Sequence, residues 1–222
     1  MNSLERKTKI VAVIPFLNES QFIADVVKKT LNYVDLVIAI DDGSTDNSAA
    51  LISNFKDVII ISIGKNIGKG FAIRKGFNKA MELNADIILT LDADNQHKPE
   101  MIPAFLEKIS SCDIVIGNRL NNLKTMPLQR KMSNMITSFL LSKKVGTKIK
   151  DSQCGFRAYR KKVIETVQTV YNGFEAESEI IVRAVRNGFK INFVDIPTIY
   201  GQQKSKMRPI QAIKGFIKVM MI

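Results

Sequence analysis

Short runs of β-branched and other apolar residues recur through the first half of the chain, and most end in a polar turn that opens a helical pattern. The runs cover residues 9–16, 35–40, 58–63, 87–91 and 114–116. Strands buried on both faces read this way, and parallel neighbours need a crossover that is usually a helix. Helical patterns fill the intervals: residues 18–31, a helix capped by Thr45 or Asp46, one from the glycine loop to about Leu83, and residues 99–110. The alternation predicts an α/β fold, a Rossmann-like, mostly parallel, doubly wound sheet flanked by helices with right-handed crossovers.

The turn after the fourth run is Asp92-Ala93-Asp94-Asn95-Gln96. Residues i and i+2 of an extended chain point to one side, so Asp92 and Asp94 converge beyond the strand's carboxyl end. Open α/β sheets bind ligands at that edge. Two carboxylates so close repel unless a cation lies between them, and hard oxygen donors suit Mg2+ or Mn2+. Gln96 offers a third oxygen. A plain turn or helix cap carries the same pattern. An EF-hand does not fit, because His97 stands where that loop needs glycine and Pro103 where it needs glutamate.

A second acidic turn, Asp41-Asp42-Gly43-Ser44, ends the second run on the same edge. One carboxylate there can accept from a base N–H or a ribose hydroxyl, or the turn is a simple Asx-turn. The Gly64–Gly70 loop is neither a P-loop nor a dinucleotide fingerprint: three residues, not four, precede its Gly-Lys pair, and Ile73 stands at the third glycine position. It is either a tight turn or a ligand-facing loop.

The second half is less regular. Helical patterns cover about 161–169 and 175–187, and a strand about 190–196. Residues 128–141 carry one apolar stripe (128, 132, 135, 136, 139, 140), and residues 210–222 carry another. The net charge of +12 is concentrated around these stripes: residues 121–150 hold seven basic residues and 201–222 hold five, with no acid in either segment. Such a bias points to an anionic partner. Two cysteines give no disulfide framework, and no apolar run approaches the ~18 residues of a membrane span. A cytoplasmic, soluble or peripheral protein is expected, with residues 1–200 as the main domain and 201–222 as a basic amphipathic segment.

Six motifs in order resemble glycosyltransferase family 2: Val13-Ile14-Pro15-Phe16-Leu17-Asn18-Glu19, Asp41-Asp42-Gly43-Ser44-Thr45-Asp46, Asn66-Ile67-Gly68-Lys69-Gly70, Asp92-Ala93-Asp94-Asn95-Gln96, Gly117-Asn118-Arg119 and Cys154-Gly155-Phe156-Arg157. The branch they look like is that of the dolichyl-phosphate mannose synthases and polyprenyl-phosphate glycosyltransferases. The resemblance implies a GT-A fold, a divalent metal, a UDP- or GDP-linked sugar donor and inversion at the anomeric carbon. Carried over by position, Pro15, Leu17, Glu19, Ile40, Asp42, Asp92, Ala93, Asp94, Arg119 and Lys206 would bind the nucleotide sugar. Asp92, Asp94 and Gln96 would hold the metal, with Arg130 and Asn134 near an acceptor phosphate. Asn134 replaces the serine of the mannose synthases, and Tyr200 stands where their late arginine would be.

Catalysis would rest on Asp94, Arg119 and Asp151. Asp151 is the candidate base for a hydroxyl acceptor, or else a loop carboxylate paired with Arg157 or Lys150; a phosphate acceptor needs no base, being already ionised. His97 reads as a loop residue beside the metal candidates, and Glu175, Glu177 and Glu179 as helix N-terminal charge complement. The expected acceptor is a polyisoprenyl phosphate at the cytoplasmic membrane face, with the two stripes docking on an anionic membrane surface. Transfer to a glycan hydroxyl, a nucleotidyltransferase, and a non-catalytic membrane- or RNA-binding protein are the alternatives. No aromatic-basic stacking motif favours nucleic acid.

Overall fold

The computed structural model describes residues 7–121, 126–197 and 209–222. Seven strands form one sheet in the order β3-β2-β1-β4-β6-β5-β7. β1 (Ile10–Phe16), β2 (Leu36–Asp41), β3 (Val58–Ser62) and β4 (Ile87–Thr90) run parallel, as do β5 (Ile114–Asn118) and β7 (Ile191–Asp195). β6 (Arg157–Arg160) lies antiparallel between β4 and β5. The central strands are buried on both faces: Val11–Ile14, Val37–Ile40, Ile88, Leu89 and Ile114–Ile116 have no exposed surface. Their continuous apolar sequence requires this.

α2 (Lys69–Glu82) crosses the sheet at Gly76, where a Cβ would collide with the side chain of Val13. α3 (Ile102–Ile109) follows a single 3-10 turn at Pro99–Met101 and buries Ile102, Phe105 and Ile109. α4 (Leu128–Val145), α5 (Lys161–Thr166), α6 (Glu175–Arg186) and α7 (Pro209–Met221) complete the described helices. α7 packs on α6 and α4, with Val219 in the core. Residues 201–208 of the expected basic segment lie outside the described residues.

Two expected helices are shorter for one reason. α1 is Ile23–Thr30 and does not begin at Asn18; only a 3-10 turn, Ala50–Ile52, follows Asp46. The loops that precede them bind each other. Asn18 takes a left-handed conformation and its carboxamide accepts from Thr45 N–H. Glu19 N–H donates to Ser48 Oγ, and Ser20 N–H to Asp46. Asp46 also accepts from the Ser48 N–H, so its capping capacity is spent on the loop.

Candidate active site

From β1 the chain winds outward to β2 and β3, then returns to place β4 on the other side of β1. The carboxyl ends of β1 and β4 therefore flank the point where the winding reverses, which is where a doubly wound sheet opens a crevice. The register pairs Phe16 with Asp41 and Val13 with Thr90. The acidic turns after β2 and β4 thus share one edge, and Asp42, Glu19, Asp92 and Asp94 lie around it.

Asp92 does not stand alone. Lys69, the first residue of α2, places Nζ 2.5 Å from Asp92 Oδ1 and 3.1 Å from Glu177 Oε1 of α6. Burial opposes the Lys69 charge, but the two carboxylates overcome it and hold the ammonium above its ordinary range. Burial likewise opposes ionisation of Asp92, and Lys69 overcomes it, so Asp92 titrates well below the usual carboxylate range. The lysine is fixed by its loop. Gly68, at φ +127°, passes against the Asn172 carbonyl, and Gly70 leaves no room for a side chain beside Ala176. Lys69 and Glu177 were not singled out from sequence as site residues; the Gly-Lys-Gly triplet at a helix start was the available signal.

Asp94 shifts the other way. Burial and then the charge of Asp92 push its carboxyl up to about 6; Glu19 adds to this, while the Gln96 N–H at 3.1 Å works against it. Behind Asp92, Gly155 is so close that a Cβ there would lie 2.5 Å from Oδ2. Among the described residues no cluster of three or more His, Cys, Asp and Glu side chains is set to hold a metal. The chemistry of the donors nevertheless fits a hard divalent cation, since Asp92 and Asp94 are near enough for the charge of one to raise the carboxyl of the other. Such an ion would take the rest of its shell from water and phosphate.

His97 is buried beside Asp92. Burial pulls its imidazole down to about 4, so it is neutral at pH 7. Nδ1 lies 3.4 Å from the Asp92 N–H and the ring tilts against Phe156. These contacts tie the ring to the loop that carries Asp92.

On the β2 side of the crevice, Asp42 accepts from the N–H groups of Ile67 and Gly68 at 2.9 Å each, so it ties the glycine loop to the end of β2. Burial pushes its carboxyl up. Gly43, at φ +87°, allows the Lys65-Asn66 backbone to pass against it. Pro15 and Ala93 are buried, and Leu17 and Glu19 are half-buried at the rim. Ile40, expected to line the nucleotide, has no exposed surface; its side chain belongs to the core. Lys206 lies outside the described residues.

Across the crevice, Arg119 follows β5 and is clamped by Asp151. Arg119 Nε lies 2.8 Å from Oδ2 and Nη2 3.0 Å from Oδ1, a bidentate pair, and the Arg119 N–H adds a third bond at 3.1 Å. Asn134 Nδ2 on α4 donates to Oδ1 at 2.8 Å and Gln153 N–H at 3.1 Å. Asp151 has no exposed surface. Burial works to raise its carboxyl, but Arg119 overcomes it, so the group titrates below the ordinary range. The partner is Arg119, not Lys150 or Arg157. Arg157 is itself fully buried and donates to the carbonyls of Ser152, Cys154 and Glu177. Asn134 is thus buried as a support of Asp151, whereas Arg130 lies half-buried on the first turn of α4.

Comparison with known proteins agrees with this architecture. The family model described as Glycosyl transferase family 2 matches residues 11–168. A protein of Methanococcus voltae, named UDP-N-acetylglucosamine–dolichyl-phosphate N-acetylglucosaminyltransferase, is 34% identical over 231 residues, covering 93% of this chain and 92% of that one. An undecaprenyl-phosphate 4-deoxy-4-formamido-L-arabinose transferase of Proteus mirabilis is 29% identical over 92% of this chain, which spans 63% of that protein. The crystal structure of Mycobacterium tuberculosis glucosyl-3-phosphoglycerate synthase, in complex with Mn2+, UDP and glucosyl-3-phosphoglycerate, superimposes with a TM-score of 0.74. At 18% identity over 96% of this chain and 78% of that one, it speaks for the GT-A fold alone. The chain belongs to glycosyltransferase family 2 and is a glycosyltransferase.

Proposed function

We propose that the enzyme transfers a sugar from a UDP- or GDP-linked donor to the phosphate of a polyisoprenyl phosphate at the cytoplasmic membrane face, with inversion. The observation that carries the choice of acceptor is the state of Asp151. A hydroxyl nucleophile needs a base within reach that has a lone pair to spare. Asp151 is sealed from solvent and accepts from Arg119, Asn134 and Gln153. It is a positioning residue for Arg119. A phosphate monoester, with a second pKa of about 6, brings its own charge and needs no base. The names of the two relatives, both polyprenyl-phosphate transferases, support the same choice.

Asp92 and Asp94, with Gln96 beside them, would hold Mg2+ or Mn2+. Bound there, the ion supplies a positive charge for the diphosphate of the leaving nucleotide. The protein's own part is positional. Asp42 and the loop it anchors shape the nucleotide side of the crevice, with Pro15, Leu17 and Glu19 at its rim. Lys69 keeps Asp92 ionised and aimed. Arg119, fixed by the Asp151 fork, would supply positive charge to the acceptor phosphate, with Arg130 as a second cation. Calorimetric titration of UDP- and GDP-sugars, with and without Mn2+, tests the donor half. Metal-dependent binding of one of them, lost in Asp94→Ala, is expected; absence of binding by every nucleotide diphosphate would overturn the proposal.

A further inference from the structure

α4 is inverted relative to an ordinary surface helix. Its inward face carries Asn134, Ser138 and Leu141, and the two polar side chains are satisfied by Asp151 and Ser152. Its outward face carries Leu128, Met132, Met135, Ile136 and Phe139, each 50–68% exposed. At 100° per residue these five fall on one stripe opposite Asn134. α7 lies against it and repeats the pattern. Gly215 and Val219 face inward, while Ile213, Ile217 and Met221, spaced by four residues, face outward at 53–81% exposure. The two helices are joined where Lys144 Nζ donates to the Met220 carbonyl at 2.9 Å. Exposed apolar stripes of this kind mark an interaction surface.

We infer that the outward faces of α4 and α7 form a single docking surface for an anionic lipid bilayer. Charge selects this occupant. Lys131 and Lys143 border the α4 stripe and Lys214 and Lys218 border that of α7, and neither helix has an acid. A second copy seated on the same face by two-fold symmetry would set these cations against one another. Anionic headgroups complement them, and the side chains between them enter the acyl boundary as in interfacial amphipathic helices. The arrangement deepens the proposed function and rests on it in one respect. Asn134, on the helix that lies on the bilayer, also props the Asp151 carboxylate that holds Arg119. Docking and placement of the phosphate-binding guanidinium are therefore built on the same helix.

Flotation of the protein with phosphatidylcholine vesicles, with and without phosphatidylglycerol and without any acceptor lipid, tests the surface. The wild type is expected to float with anionic vesicles and to be released by high salt. Lys214→Gln and Lys218→Gln should each lower partitioning by about fivefold. Ile136→Glu combined with Phe139→Glu should abolish flotation while the melting temperature and calorimetric donor binding stay at wild-type values, because both side chains already face water. Wild-type protein left at the bottom of the gradient would overturn the inference. So would a wild-type dimer in sedimentation that this double variant converts to monomer, since the face would then be a self-association surface. Flotation without donor binding would sustain the docking surface and remove the proposed function instead.

Discussion

Asp94→Asn is expected to stabilise the metal-free protein while it destroys metal binding. Asp94 has a carboxyl raised from 3.8 to about 6, by burial and by Asp92. The sign follows from linkage. A group whose folded pKa lies above its unfolded value favours the native state below the unfolded pKa, and that advantage is lost as pH rises through the folded one. At pH 7 the ionised carboxylate therefore costs up to about 3 kcal/mol, from 1.36 kcal/mol per unit. Partial exposure of the site roughly halves this, to ~1.5 kcal/mol. The amide keeps the acceptor for Gln96 N–H and carries no charge. Thermal unfolding in chelator at pH 7 should show the variant about 3–6 °C above wild type for a chain of this size. At pH 5 the gap should fall to roughly half, because the wild-type carboxyl is then largely protonated when folded. Saturating Mn2+ should reverse the order, adding about 2.7 kcal/mol to the wild type at a hundredfold excess over its dissociation constant and nothing to the variant. A variant no more stable than wild type in chelator would refute the reasoning that burial and the Asp92 charge disfavour the Asp94 anion.

Three other substitutions separate the supports of the site. Asp151→Asn leaves the Arg119 guanidinium without its fork and should destabilise the fold by about 3 kcal/mol; kcat should fall at least tenfold, with no change in the shape of the pH–rate profile, which loss of a general base would alter. The stability this pair contributes is present above the ordinary carboxylate range and should be lost as pH falls below it, as acid unfolding of wild type against Asp151→Asn would register. Lys69→Met strands Asp92 and Glu177 beside each other and should cost about 3 kcal/mol by denaturant titration. Gly155→Ala pushes a methyl group into the Asp92 carboxylate and should weaken Mn2+ binding by about tenfold in calorimetry, a loss of roughly 1.4 kcal/mol in binding free energy.

The parallel strands and the shared acidic edge were legible because continuous β-branched runs and an Asp-x-Asp after the fourth of them are local signals. The place of β6 in the sheet was not legible. Arg-Ala-Tyr-Arg has no apolar run, and the burial of Arg157 depends on carbonyls from residues as distant as Glu177. The Lys69–Asp92–Glu177 bridge joins residues far apart in sequence, so no spacing announces it. The partner of Asp151 was misjudged because Arg119, unlike Lys150 and Arg157, is not its sequence neighbour. The α4 stripe was visible by its period, but period does not say which face turns inward. Only the polar anchors Asn134 and Ser138 settle that, and their partners, Asp151 and Ser152, lie on a separate loop.

The proposed nucleophile is a phosphate. Incubation with Mn2+ and the UDP- or GDP-sugar that binds, offered in parallel to a polyprenyl phosphate and to the corresponding polyprenol, tests it most directly, with lipid products and released nucleotide both identified. A glycosyl phosphoryl polyprenol, one nucleoside diphosphate per sugar transferred, and no product from the polyprenol are expected. Transfer to the free alcohol or to a glycan hydroxyl, or release of pyrophosphate, would contradict it.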